Sequence, residues 1–317
     1  MIVRWGLDQL DPLLDELAIE RPLLVASPRW DELGLSAAAR WTEIPSDRIA
    51  VPDDVDGIVA VGGGSAIDTA KAASTASGLP LVSVPTTYSG SEWTPSFGVR
   101  TADRRLLGGG SGAHLAGIVY DPELTLTLTR EQTVGTAMNA LAHAAEALYV
   151  KGRNDEADRD AREAATRIAA SLPAVVADEK ALGPRKTLLN GASLAGSALA
   201  SAGLGLGHAI AQALGGRYGL PHGAMNALAL PLALRFNVPV AAKEIESFGD
   251  AMGTDDPVAK VESLAGLGGF ARCLRDYGVP QEELEEVAEA VVQRPGAKAN
   301  PRPATPTEVE ELLRSAW

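Results

Sequence analysis

"IVAVGGGSAIDTAKAAS", residues 58–74, decides the fold. An apolar run of strand composition enters three glycines and Ser65, then leaves as an alanine-rich helical segment. Glycines let the backbone turn sharply and come close to a ligand. The start of a helix adds unbonded N–H groups and a positive partial charge. A strand, glycine turn and helix in this order suit a pyrophosphate. The spacing is not G-x-G-x-x-G, because Ile67 stands where the third glycine would fall. A structural reading is equally open here, with Ser65 as the N-cap and Asp68, three residues on, completing a capping box.

Outward from this unit the pattern repeats. "RPLLVAS" (21–27), "DGIVAVGGG" (56–64), "LPLVSVPTT" (79–87) and "LAGIVYDP" (115–122) read as buried strands with helical stretches between them. That alternation predicts a parallel sheet covered on both faces. After "DPELTLTLT" the strand signals stop, and segments such as "EADRDAREAATRIAASLPAVVAD" and "PQEELEEVAEAVVQ" have helical period. The expectation is an α/β domain over residues 1–125 and an all-helical domain over 126–317. A second loop supports a ligand on the first. In "VPTTYSGSEWTPSFGV" (84–99), Thr86, Thr87, Ser89 and Ser91 follow the next strand. Ligands of open α/β sheets lie beyond the carboxyl ends of the strands. Two such loops together predict a dinucleotide site on Gly63, Gly64, Ser65 and these hydroxyls.

The bulk properties narrow the partners. A net charge of −13 repels nucleic acid and anionic membranes alike, so neither is expected as a partner. A single cysteine, Cys273, leaves no internal disulfide and suits a reducing, cytoplasmic setting. The N-terminus has no apolar core behind a positive start, so no signal peptide is read there. Residues 190–216 carry no charge, long enough for a bilayer. They are mostly Ala, Gly and Ser, and the expectation is a closely packed helix pair rather than a span.

In "TAMNALAHAAEALYV" (136–150), Asn139 and His143 stand four apart and share one helix face. A carboxylate and a His so placed would be half of a metal site, but here an amide holds the carboxylate position.

"GGGSAIDTAKA", "PTTYSGSEWTP" and "GHAIAQALGGRYGLPHGAMNALALP" (207–231), in that order, resemble the iron-containing alcohol dehydrogenase superfamily. "VYDPELTLTL", "AMNALAHAAEALY" and "NPRPATPTEVEELL" are most similar to its maleylacetate reductase branch. The likeness runs from about residue 56 to the end, and the first 50 residues match loosely, as if shortened. The resemblance implies a dehydroquinate synthase-like α/β domain binding NAD(P), an all-helical domain carrying the catalytic residues, a homodimer and a small carbonyl substrate. It also implies a role in the catabolism of aromatic compounds. Residue by residue, it places the four metal-pocket positions at Asn139, His143, His208 and His222. A further active-site His often follows four residues after the third of these, and this chain has Gln212 there. Arg105 stands where a cofactor-contacting Lys is usual, and Asp68 belongs to the glycine motif.

The amide at 139 bears on the metal. An Asp brings a negative charge to a divalent cation, whereas Asn offers a carbonyl dipole. Three neutral histidines, His143, His208 and His222, still suffice for zinc. The maleylacetate reductase branch generally has Asn here and reduces an alkene conjugated to a ketone without a metal. That step needs hydrogen-bond donors and a proton donor. The expectation is a metal pocket reused for acid and hydrogen-bond chemistry by an NADH- or NADPH-dependent reductase. Arg100, Arg104, Arg217 and Arg235 are candidate cations for a dicarboxylate. A metal-dependent dehydrogenase of the family acting on another carbonyl, an NAD-using cyclase and an inert scaffold are the competing readings. The strand "RPLLVAS" ends in Ser27, Pro28 and Arg29 with no acid before Asp31. An acid there would favour NADH, so acceptance of NADPH is expected.

Overall fold

The computed structural model describes residues 1–46, 49–101 and 106–317. It divides into two compact units, Met1–Thr127 and Leu128–Trp317.

The first unit holds β1 (Ile2–Trp5), α1 (Leu10–Glu16), β2 (Pro22–Ala26), β3 (Ala39–Trp41), β4 (Gly57–Gly62) and α2 (Gly64–Ser77). After these come β5 (Pro80–Pro85), β6 (Phe97–Arg100), β7 (Leu106–Gly110) and β8 (His114–Tyr120). Among the described residues, six strands form a sheet of order β1-β8-β5-β4-β2-β3, parallel at every pairing. Alternation along each strand explains why the apolar runs are unbroken. Ile58, Ala60, Leu23, Val25 and Leu81 pack with Ile67, Ala70 and Ala73 of α2. Val59, Val61, Leu24, Val82 and Val84 pack on the other face with Leu10, Leu13 and Leu14 of α1. A strand buried on both faces has no polar side to show.

β2, β4, β5 and β8 are the strands expected from sequence. β1, β3 and the antiparallel pair β6–β7 were not read there, since they are short or half-buried and carry no long apolar run. His114 opens β8, with its backbone N–H donated to Ser74 Oγ at 2.9 Å.

The second unit comprises α3 (Arg130–Ala147), α4 (Asp155–Ala177), α5 (Leu182–Ala202), α6 (Leu206–Tyr218) and α7 (His222–Ala251). The shorter α8 (Pro257–Gly266), α9 (Leu284–Val292), α10 (Pro295–Ala299) and α11 (Pro306–Ser315) complete it. Thr129 and Gln132 form a reciprocal capping box that starts α3. The uncharged stretch of residues 190–216 becomes the end of α5 and most of α6, two helices bent by 101°. By length and composition alone α7 could cross a membrane, and 72% of its most apolar window is buried within the protein. Its helical run is broken at Ala241 (φ −139°, ψ 34°), two residues after Pro239, whose ring cannot continue the helix unstrained.

Candidate active site

The glycine turn sits where β4 passes into α2, and its three glycines do different work. Gly62 has φ +152°, and a Cβ there would lie 2.7 Å from Ala66 Cβ. A Cβ on Gly63 would meet Thr87 Cγ2 at 2.7 Å. These two are required by the turn itself. Gly64 differs, since its nearest neighbours would be Ser89 Oγ at 3.8 Å and Ser91 Cβ at 3.9 Å, ordinary contacts. The N-cap is Gly63, without a side-chain cap, so the capping-box alternative for Ser65 and Asp68 is not what the chain forms. Ser65 is exposed within the first turn, and the helix start offers its N–H groups outward.

The loop after β5 lies against this turn. Thr86 N donates to Gly62 O at 3.0 Å, and Thr87 Oγ1 donates to Ser89 Oγ at 3.2 Å. Thr86 Oγ1 is buried with no hydrogen-bond partner, a group that a ligand hydroxyl or phosphate would satisfy. Uncapped N–H groups, space beside Gly64 and this orphaned hydroxyl together fit a dinucleotide.

Asp68 and Ser91 have internal tasks. Asp68 Oδ1 accepts from Ser91 Oγ at 2.8 Å and lies 3.4 Å from Lys71 Nζ, and Oδ2 accepts from Gly98 N at 3.2 Å. Lys71 also donates to Ser91 Oγ and to Ser96 O. Burial pulls the Lys71 ammonium below its usual range, against the attraction of Asp68 and Glu92. Glu92 is pushed up by burial, while Tyr120 donates to it at 2.6 Å. This network holds the β5–β6 loop on α2. Arg104 and Arg105 lie outside the described residues, as does the side chain of Arg100. Arg29 stacks over the Trp30 ring at 4.5 Å, and Asp31 pairs with Arg40.

Three helices of the second unit build the other cluster. α3 presents Asn139, His143 and Glu146 on one face, α6 presents His208, and His222 is the first residue of α7 with Asn226 one turn on. Close backbone approach makes this possible. A Cβ on Gly223 would lie 2.4 Å from the Gly135 carbonyl carbon, and one on Gly205 would come to 3.0 Å of Glu146.

The hub is the Asn139 amide. Its Oδ1 accepts from Asn226 Nδ2 at 2.6 Å and faces His208 Nε2 at 3.3 Å, while its Nδ2 faces His143 Nε2 at 3.5 Å. Asn226 Nδ2 also lies 3.1 Å from His222 Nε2. The His143 and His208 rings stack at 4.6 Å, and the His208 and His222 centroids are 6.1 Å apart. Glu146, fully buried, accepts from Gly205 N (2.7 Å), His208 N (3.1 Å) and His208 Nδ1 (2.7 Å). Sequence reasoning missed Glu146 and Asn226. The signal was present, since Glu146 follows His143 by three and Asn226 follows His222 by four.

Burial, and then the neighbouring His208 and His222, holds His143 well below the usual imidazole value. It is a neutral acceptor for Asn139 rather than a proton donor. A depressed folded value means that the unfolded chain takes the proton first as pH falls. The stability tied to His143 is full above about pH 6.5 and declines below it. Compared with a His143→Gln variant, the parent should lose up to about 1.4 kcal/mol more per pH unit below that point. Parallel stability curves for the two proteins would remove this assignment.

Three imidazoles can hold zinc, but in this arrangement the amides around them work against a divalent cation. Three imidazoles and two amides bring no negative charge, and the NH₂ of Asn226 occupies the space between Asn139 and His222 with donor hydrogens. Among the described residues, no three His, Cys, Asp or Glu side chains form a group that could hold a metal.

Of the candidate cations for a substrate carboxylate, two are taken up in surface ion pairs. Arg217 pairs with Glu283 and Glu286, and Arg235 with Glu262. Arg294 instead reaches Gln212 Oε1 at 3.5 Å, one helical turn beyond His208.

Residues 48–121 match the sequence profile of iron-containing alcohol dehydrogenases, and residues 133–317 match the C-terminal profile of the same family. The chain belongs to the iron-containing alcohol dehydrogenase family. It is therefore an oxidoreductase by family. It is similar to maleylacetate reductase 1 of Rhodococcus opacus, 34% identical over 98% of this chain and 84% of the relative. Among solved structures it is similar to an iron-containing alcohol dehydrogenase from Corynebacterium glutamicum (TM-score 0.88, 29% identity, 100% and 94% coverage). It is also similar to a maleylacetate reductase from a Rhizobium strain (TM-score 0.86, 27% identity, 100% and 95% coverage).

Proposed function

We propose that the protein is an NAD(P)H-dependent reductase of maleylacetate or a closely similar unsaturated oxo acid, giving a 3-oxoadipate-like product. The observation that carries this reading is the amide hub, in which Asn139 meets His143 and His208 and, through Asn226, connects to His222. A relative named for that reaction aligns over nearly the whole chain. Bound at the glycine turn, NAD(P)H supplies a hydride. The chain's own residues then have three tasks. Gly63, Gly64, Ser65, Thr86, Thr87 and Ser89 hold the dinucleotide, with Ser91 and Asp68 fixing the loop around it.

His208 and His222 stabilise the oxyanion that develops when the conjugated ketone becomes an enolate, and His208 delivers a proton to the adjacent carbon. His143 and Asn139 keep the His208 ring in place. Arg294, with Gln212, suits one substrate carboxylate, because a guanidinium fork matches a carboxylate.

We infer that the reaction uses no tightly bound divalent metal, since an amide stands at position 139 and the Asn226 NH₂ lies between Asn139 and His222. Ser27, Pro28 and Arg29 after β2 present no acid to the ribose, which supports acceptance of NADPH beside NADH. One set of assays tests both. Maleylacetate should be reduced with either cofactor, and dialysis against a strong chelator should leave the rate unaltered. A rate lost on dialysis and restored by zinc or iron would return the site to metal chemistry.

A further inference from the structure

We propose that Glu146 is the positioning residue of this site. Its carboxylate holds the proton on Nδ1 of His208 and so makes Nε2 the nitrogen that delivers a proton to the substrate. The inference rests on the reductase reading above. Glu146 touches no reacting atom in that reading and acts through His208.

The geometry is specific to this task. Glu146 has no solvent exposure and His208 has 1%, so water does not compete with the carboxylate for Nδ1. The carboxylate is held by three donors, two of them backbone N–H groups at the start of α6, at Gly205 and His208. Helix-start N–H groups and their partial charge stabilise an anion. The third donor is the ring itself, at 2.7 Å. The glycines of "GLGLGHA" follow from this. A Cβ on Gly205 or on Gly207 would come to 3.0 Å of the Glu146 side chain, so larger residues would displace the carboxylate.

A neutral imidazole has one N–H and can carry it on either nitrogen. A carboxylate against Nδ1 selects the Nδ1–H form through a charge-assisted bond. Nε2 then faces Asn139 Oδ1 at 3.3 Å, an acceptor that orients an Nε2 proton when one is present. Hydride addition to the alkene carbon leaves an electron pair on the enolate. In the imidazolium form, which carries a proton on each nitrogen, the Nε2–H bond breaks as the enolate carbon forms a C–H bond with that proton, and the ring becomes the neutral Nδ1–H form. Solvent then restores the Nε2 proton.

The test uses the full chain and its four histidines, few enough for ¹⁵N NMR of the rings with His208→Asn as the assignment control. In the parent, His208 should show a protonated Nδ1. In Glu146→Gln that preference should be lost, and kcat should fall about 10- to 100-fold with KM and cofactor affinity little changed. Glu146→Asp, which keeps the charge, should recover part of the rate, and it serves with the parent spectrum if the Gln variant does not fold. A parent His208 protonated only at Nε2, or a folded Glu146→Gln protein with parental kcat, overturns the proposal. Failure of the reductase reading is distinguishable, because the parent itself would then not reduce maleylacetate while the ring spectrum would still report the tautomer.

Discussion

Replacing His208 by Asn should lower kcat for maleylacetate reduction by about two to four orders of magnitude, the usual contribution of a positioned acid. The amide nitrogen of Asn falls near the place of Nδ1, so Glu146 keeps a donor and the start of α6 keeps its carboxylate. What disappears is Nε2, the atom that faces Asn139. The loss should therefore appear in kcat while cofactor affinity, set in the first unit, stays as it was. The corresponding His143→Gln change should cost less, because His143 is held neutral by burial and by its two neighbours. Equal losses in the two variants, or a His208→Asn rate within tenfold of the parent, would show that the proton comes from elsewhere.

Gly64→Val should weaken NADH and NADPH binding by about 100-fold, near 2.7 kcal/mol, in a protein that still folds. The structure separates Gly64 from its neighbours on this point. A Cβ there meets only ordinary contacts with Ser89 and Ser91, whereas one on Gly63 collides with Thr87, and Gly62 has a left-handed-side φ. The added isopropyl group would fill the space through which a pyrophosphate approaches the start of α2. Fluorescence titration with each dinucleotide measures the loss, and thermal denaturation confirms that the fold survives. Parental affinity in a folded Gly64→Val protein would move the cofactor away from this turn.

Much of the fold was legible because it is written in local periodicity. β4 and β5 read as buried strands because both of their faces are covered, by α1 on one side and α2 on the other. The change to helical period after "DPELTLTLT" needed no tertiary information. The edge strands β1 and β3 and the β6–β7 pair gave no such signal, since a few residues with one half-exposed face look like loop. Ser65 and Asp68 show the limit of spacing alone. Their separation permits a capping box, but the chain begins the helix two residues earlier and gives Asp68 to Lys71, Ser91 and Gly98.

The sequence by itself determined which side chains enter the histidine–amide cluster through motifs: Asn139 and His143 four apart, His208 after its glycines, and His222 in a Pro-His-Gly corner. Only the tertiary structure decided what they do. Residues 139, 146, 208 and 226 come from three helices, and no sequence spacing states that Glu146 meets Nδ1 of His208 or that Asn226 lies between Asn139 and His222. Direction is the physical reason. A helix period places a side chain on a face, but which of its two nitrogens meets a carboxylate depends on the distance and tilt of another helix. Here glycine contacts of van der Waals closeness set that distance, at Gly223 against Gly135 and at Gly205 against Glu146.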